Sequence, residues 1–376
     1  MKITIDATGI SAYKTGTVTY LLEILAQWNQ DADLEHEFII FCAPSAKHHF
    51  ECLALGKSFS FKMASNSKLI RMLWQQTALP YYLWRNHVDV HWGPGFILPL
   101  LKVCPMAVTV HDMTFELLPR VHEPIKRIYF PFMIRRAIKR AGVVFAVSNS
   151  TAKDIDLLLP GNSDKIVVTP LAAGKFTTDL PSASSVSDIP VTKLDDGSPW
   201  SPYVLFIGTL EPRKNLERLL QAWRNLAPEA RASYRLLVIG AKGWMVDRLR
   251  ECGDESVEFL GHKSDTELAW YLRHATFLAY PSLYEGFGLP VIEAMAAGTP
   301  VLTSDIAATR EVAQDAAVLV EPLSVSSIQA GLSRLLLDPA LRDRLSALGI
   351  ARAKQFSWET TARRTLLGLK EISAGA

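Results

Sequence analysis

Short β-branched runs alternate regularly with helical patterns along this chain, which leaves few folds open to it. Lys2–Asp6, Glu37–Cys42, Val88–His91, Ala107–His111, Val143–Ser148 and Ile166–Thr169 each read as a buried strand. Between them lie amphipathic segments, such as Val18, Leu21, Leu22, Leu25 and Trp28 at the i, i+3, i+4, i+7 spacing of one helix face. After a break the alternation restarts at Tyr203–Gly208 and continues through Arg235–Gly240, Val257–Leu260, Thr276–Tyr280, Val301–Thr303 and Ala317–Val320. Strand–helix alternation of this kind predicts an α/β protein of doubly wound parallel sheets covered by helices on both faces.

The break itself, Thr177–Pro202, is rich in Ser, Pro and Asp and carries no sustained period, which reads as a linker. Length agrees with this division: 376 residues, with an apolar fraction of 49%, suffice for a core in each of two domains. The expected organisation is a first Rossmann-like domain over 1–180, a linker at 181–202 and a second Rossmann-like domain over 203–357. The formal charge of +2 is too small to suggest a nucleic-acid partner, although the first half is the more basic. Four cysteines, Cys42, Cys52, Cys104 and Cys252, lie far apart without metal-ligand spacing and read as reduced, mostly buried thiols of a cytoplasmic protein. The start lacks the pattern of a signal peptide, and no apolar run reaches the length of a membrane span.

Ligands of open parallel sheets bind at the carboxyl ends of strands, so the strand exits hold the candidate residues. After the first strand, Gly16 precedes a helix whose N-terminus offers free N–H groups to a phosphate or a sugar hydroxyl; a plain turning glycine fits the same residues. His111 stands at the exit of AVTV, placed to hydrogen-bond or share a proton, or to be a satisfied structural histidine, with Asp112 capping the next turn. Arg213 and Lys214 follow the first strand of the second half; two adjacent cations suit a diphosphate, and equally a solvated loop.

The most specific segment is YPSLYEGFGLPVIEAMAAGTPV, residues 280–301. A strand ends at Tyr280, a glycine-rich loop carries Glu285, and Pro290 opens a helix expected to hold Glu293 in its first turn. Gly286 and Gly288 allow close backbone approach, and two carboxylates at E-x7-E spacing can grip different parts of one extended ligand.

This segment resembles the signature of retaining glycosyltransferase family 4. The likeness extends to RMLWQQTALP (71–80), HWGP (91–94), His111-Asp112 and Ala146–Asn149, and is nearest to bacterial mannosyltransferases that build lipopolysaccharide and exopolysaccharide chains, including O-antigen. The resemblance implies a GT-B fold, two Rossmann-like domains facing across a cleft, with a terminal helix (358–376) that crosses back onto the first, acceptor-side domain. It implies transfer of a hexose, mannose or a related sugar, from a GDP-linked or other nucleotide-sugar donor to a carbohydrate or lipid-linked acceptor. Arg213 and Lys214 would hold the donor diphosphate. Glu285 would bind sugar hydroxyls with the backbone of Gly286, Phe287, Gly288 and Leu289. Glu293 would take the ribose, Gly16 would lie over the diphosphate, and His111 would contact the sugar or its phosphate. Two departures stand out: Gly16-Thr17-Val18 replaces a common Gly-x-Gly, and Thr169–Phe176 replaces a common Asn-Gly-Val-Asp.

No covalent nucleophile is evident, so the resemblance implies front-face substitution with retention and no cofactor. Asp31-Ala-Asp33 and Asp154-Ile-Asp156 read as surface acids rather than as a metal motif, and no metal is expected. Residues 126–140 hold six basic side chains and no acid, with Arg135, Arg136, Lys139 and Arg140 on one helical face and Phe130, Met133, Ile134, Ala137 and Ile138 on the other. Two readings stay open there: a helix lying on an anionic membrane, which would make the protein peripheral at the inner face of the plasma membrane, or a core-packed helix with a solvated basic face. The alternatives for function are a nucleotide-sugar 2-epimerase of the same architecture, which would need acid and base carboxylates around the sugar ring, and a non-catalytic nucleotide-sugar binder.

Overall fold

Among the described residues every strand pairs parallel with its neighbours, in two separate sheets. The computed structural model describes residues 1–11, 15–31, 35–119, 124–174, 202–241 and 254–375. All but the last residue of the linker read at 181–202 lie outside them, as do Asp33 and Cys252. The chain forms two compact units: Met1–Leu171 together with Ser357–Ala376, and Ala172–Phe356.

The first unit holds β1 (Lys2–Ala7), β2 (Glu37–Cys42), β3 (Phe59–Met63), β4 (Val90–Gly93), β5 (Met106–Val110), β6 (Val143–Ala146) and β7 (Ile166–Val168), in spatial order β3-β2-β1-β4-β5-β6-β7. The second holds β8 (Tyr203–Ile207), β9 (Arg235–Ile239), β10 (Val257–Gly261), β11 (Phe277–Tyr280), β12 (Val301–Ser304) and β13 (Val318–Val320), in order β10-β9-β8-β11-β12-β13. Both are doubly wound Rossmann-like sheets in which the direction of winding reverses once, between β1 and β4 and between β8 and β11. Crevices open at the carboxyl ends of such strand pairs.

The central strands are apolar on both faces because helices cover both, as a parallel sheet requires. β3 is the exception: its residues are mostly exposed, so it carries no continuous apolar run, and the sequence reading missed it. In the first unit Trp28, on the helix Gly16–Gln30, stacks on Phe38 at 5.1 Å. Its indole N–H donates to the Ala362 carbonyl at 3.0 Å, tying in the terminal helix Trp358–Ala374. Gly368 lets that helix approach β6, since a Cβ there would meet the Phe145 ring at 2.9 Å. In the second unit Trp223 is fully buried between the sheet and the helix Val325–Leu337; a side chain of this kind stabilises by about 1.5–3 kcal/mol when buried. Of the described cysteines, Cys42 is buried, Cys104 partly so and Cys52 exposed.

The helix Pro124–Arg140 packs Met133, Ile134, Ala137 and Ile138 into the core of the first unit and leaves Arg135, Arg136 and Lys139 outside. Its apolar face is therefore occupied by protein. Arg135 makes a two-pronged pair with Glu116, both bonds at 2.7 Å. Among the described residues no helix is long and apolar enough to cross a membrane.

Candidate active site

In the second unit the reversal of winding brings together two loops, one leaving β8 and one leaving β11. The β8 loop starts at Gly208, against which Gly240 lies so closely that a Cβ on Gly240 would sit 1.9 Å from the Gly208 carbonyl oxygen. A short turn, Pro212–Lys214, ends at Asn215 in the left-handed region (φ 61°), where asparagine is tolerated. The Asn215 amide donates to the carbonyls of Pro281, at 2.8 Å, and Pro322, at 2.7 Å, and the Leu283 N–H donates to the Arg213 carbonyl at 2.8 Å. These bonds lock the cation-bearing turn onto the β11 exit.

The side chains then converge. Lys214 Nζ donates to Glu285 Oε1 at 2.7 Å, and Arg213 Nη1 donates to Glu285 Oε2 at 2.8 Å. Arg213 Nη2 reaches Glu211 Oε1 at 2.7 Å. Tyr280, buried at the end of β11, donates its hydroxyl to Glu285 Oε1 at 2.8 Å, accepts from Lys214 Nζ, and has the ammonium 4.9 Å from its ring centroid. Burial by itself would raise the Glu285 pKa; Arg213 and Lys214 outweigh it and hold the carboxyl at about 2. Burial lowers the Lys214 pKa and Arg213 adds to that, against the pull of Glu285. Burial and the adjacent Glu285 push the Tyr280 hydroxyl well above its ordinary range. Two fixed cations lie at a strand exit, balanced by two carboxylates, and such an arrangement can receive a polyanion with little rearrangement.

Of the residues singled out in sequence, Arg213, Lys214 and Glu285 thus meet in one cluster. Glu285, expected to face sugar hydroxyls, has both carboxylate oxygens engaged by the cations in this structure. Gly288, at φ +99°, forms the N-cap of the helix Leu289–Ala296 and has no side chain to cover the first turn. Phe287 is buried edge-on to Phe356 at 5.6 Å. Glu293 is also buried, but it is the fifth residue of its helix, one residue past the first turn expected for it, because the helix begins at Leu289 with Pro290 second. Tyr280, Glu211 and Asn215 were not singled out in sequence.

The first unit has its own crevice at the β1 and β4 exits. A cavity of about 180 Å³ is lined by Asp6, Ser11, Thr15, Thr17, Phe96 and Phe130, among others. Asp6 is fixed by the Gln75 amide at 2.7 Å and the Thr8 N–H at 3.0 Å. His111 donates from Nε2 to the Pro94 carbonyl at 2.7 Å and packs edge-on to Tyr20 at 5.0 Å. Burial lowers its pKa more than the Pro94 bond raises it, which favours a neutral ring with Nδ1 left as the acceptor atom. Asp112 caps the next turn, accepting from the Thr114 N–H at 2.9 Å. Gly16 is the first residue of its helix with no atom within 4 Å of where a Cβ would lie, so its immediate packing does not require glycine. Among the described residues no three His, Cys, Asp or Glu side chains are grouped to hold a metal ion. Asp156 is exposed and accepts from the Ser163 hydroxyl.

Two doubly wound parallel-sheet units, with a charged cluster at the winding reversal of the second, match the GT-B fold of solved glycosyltransferases. Residues 15–172 match the family described as Glycosyltransferase Family 4, and residues 197–352 match Glycosyl transferases group 1. The chain is 34% identical to O-antigen chain mannosyltransferase B of Escherichia coli, over 76% of this chain and 75% of that protein. It is 28% identical to the serotype-specific mannosyltransferase WbdA of Escherichia coli over 62% of this chain, and the match spans only 29% of that protein. The crystal structure of Anabaena HepE in complex with UDP and glucose superposes with a TM-score of 0.77 at 17% identity, covering 99% of this chain and all of that one. The chain belongs to the GT-B glycosyltransferase family that includes the bacterial O-antigen chain mannosyltransferases.

Proposed function

We propose that the protein is a retaining hexosyltransferase that moves mannose or a related hexose from a nucleoside diphosphate sugar to a growing, lipid-linked glycan. The single observation that carries the donor class is the Arg213–Lys214–Glu285 cluster at the β8 and β11 exits. In this reading the guanidinium and ammonium bind the diphosphate, while Glu285 and Tyr280 hold the two cations in place. Glu285 also offers its remaining lone pair to a donor-sugar hydroxyl. The N–H groups around Gly286–Leu289 approach the donor, and Glu293 accepts from the ribose hydroxyls. His111 accepts a sugar hydroxyl through Nδ1, with Gly16 over the diphosphate.

In the reaction the bond between the anomeric carbon and the diphosphate oxygen breaks while the acceptor oxygen bonds to the same face of that carbon. The acceptor's hydroxyl proton passes to the departing phosphate. Arg213 and Lys214 stabilise the charge that develops on the leaving group, a role that would make the enzyme independent of metal. Mannose is favoured by the names of the relatives in the same family, and the GDP carrier rests on the resemblance alone. The second unit is the donor side and the first the acceptor side, and the enzyme works at the cytoplasmic face of a membrane.

The test is product analysis with a panel of nucleoside diphosphate sugars and a polyprenyl-linked glycan, in the presence of EDTA. The expected product is a new glycoside with the donor's anomeric configuration, plus free nucleoside diphosphate, at an undiminished rate. An epimerised donor without transfer would assign the protein to sugar isomerisation instead, and loss of turnover restored by magnesium or manganese would refute metal independence.

A further inference from the structure

The His111 ring is held from three directions. Tyr20, on the helix Gly16–Gln30, sets its ring at 89° to the imidazole with centroids 5.0 Å apart. Phe96 approaches at 5.8 Å and 74°. Nε2 donates to the Pro94 carbonyl. Two T-shaped contacts and one hydrogen bond together fix the ring's place, its rotation and its tautomer.

Both aromatic neighbours are themselves anchored. Tyr20 is fully buried, and its hydroxyl lies 3.3 Å from that of Thr109, two residues before His111. The Thr109 hydroxyl also accepts from the Trp92 indole at 3.0 Å. Trp92 and Trp358 meet the Tyr20 ring at 6.2 and 6.3 Å, and Trp358 opens the terminal helix. Tyr20 therefore ties that helix to the exits of β4 and β5. Phe96 takes a left-handed backbone conformation, φ 61°, which is unfavourable for a bulky side chain. Its N–H donates to the Thr109 carbonyl at 3.2 Å. Strained backbone of this kind persists where the surroundings enforce it, and it clusters at functional sites. Here it sets an aromatic ring against His111 at the wall of the 180 Å³ cavity.

We infer that Tyr20 and Phe96 are positioning residues for sugar transfer, clamping the His111 ring between them so that Nδ1 stays an oriented acceptor. This rests on the reading of His111 as a contact of the donor sugar. An imidazole free to turn would often present the wrong edge to the sugar, and a misplacement of about 1 Å near the reacting atoms costs on the order of 10² in rate.

The experiment is steady-state kinetics of Tyr20→Leu, Phe96→Gly and Tyr20→Phe, each in the parent and in a His111→Ala background, with the donor that the parent turns over. Glycine adopts φ 61° freely, so Phe96→Gly removes the ring without backbone strain, and unfolding midpoints check every variant. Tyr20→Leu and Phe96→Gly are each expected to lower kcat about tenfold or more, with KM within about threefold. Tyr20→Phe keeps the ring and is expected to stay within about threefold of the parent. With His111 already removed, the same changes are expected to cost less than about twofold. Histidine-selective nitrogen NMR reads the ring without any substrate, the His111 signals being those lost in His111→Ala. One neutral Nε2–H tautomer is expected in the parent, and mixed or exchanging tautomers in Tyr20→Leu and Phe96→Gly.

Parent-like kcat in folded Tyr20→Leu and Phe96→Gly overturns the inference. So do equal losses with and without His111, or His111 signals that neither variant changes. If Tyr20→Leu does not fold, Phe96→Gly decides by the same three readings. A parent that transfers no sugar refutes the proposed function instead, and the NMR signals then decide the clamp by themselves.

Discussion

Alanine at Arg213 or at Lys214 is expected to lower turnover by about 10²–10³, the loss seen when one preorganised charge or donor is removed from a developing anion. The two side chains differ in the partners that hold them. Arg213 spans Glu211 and Glu285 with its two terminal nitrogens, so its fork is oriented before any ligand arrives. Lys214 is fixed at its tip by Tyr280 and Glu285, and its stem passes 3.5 Å from where a Cβ on Gly208 would lie. A charge held this firmly has little reorganisation to undergo as the leaving group forms, so the effect belongs mainly to kcat and only partly to KM. Steady-state kinetics of both variants, alongside their unfolding midpoints, measures this. Near-normal kcat in both folded variants contradicts the assignment.

Glu285→Gln has the second large effect, and on stability as well as activity. The amide has the shape of the carboxylate but cannot neutralise Arg213 and Lys214, both largely buried. Removing one partner of a buried ion pair typically costs about 3–5 kcal/mol, and a loss of that order is expected at pH 7. The pH dependence gives an independent signature. Glu285 titrates at about 2 in the folded protein against an ordinary value of 4.5, so its contribution is fully present above about pH 4.5. It is lost as the pH falls from there towards 2, and amounts to roughly 3 kcal/mol. Denaturant unfolding at pH 7 and at pH 3 should therefore show the gap between parent and variant narrowing in acid. Equal stability at pH 7, or a gap that widens in acid, contradicts the pairing.

The sheets were legible because both faces of a parallel strand are buried, which writes continuous β-branched runs into the chain. β3 escaped because an exposed edge strand has no such run. Arg213, Lys214 and Glu285 were legible because glycine, proline and charge punctuate the two strand exits. Their mutual contact was not, since it depends on a fold that brings residues more than 70 positions apart within hydrogen-bonding distance. Tyr280 is hidden for a related reason: at the end of an apolar run a tyrosine looks like core, and only Lys214 and Glu285 give its hydroxyl a task. Asn215 looks like an ordinary turn residue until its amide is seen joining two carbonyls. The two readings of residues 126–140 share one amphipathic pattern, which says that an apolar face exists but not whether protein or lipid covers it. Packing decided that the core does.

The β8 and β11 exits are proposed to hold a diphosphate. The decisive measurement is a crystal structure of the protein with a nucleoside diphosphate hexose. Diphosphate oxygens are expected at about 2.7–3.2 Å from the Arg213 and Lys214 nitrogens, with the ribose hydroxyls on Glu293. A nucleotide bound elsewhere, with Arg213 and Lys214 still closed on Glu285, would contradict it.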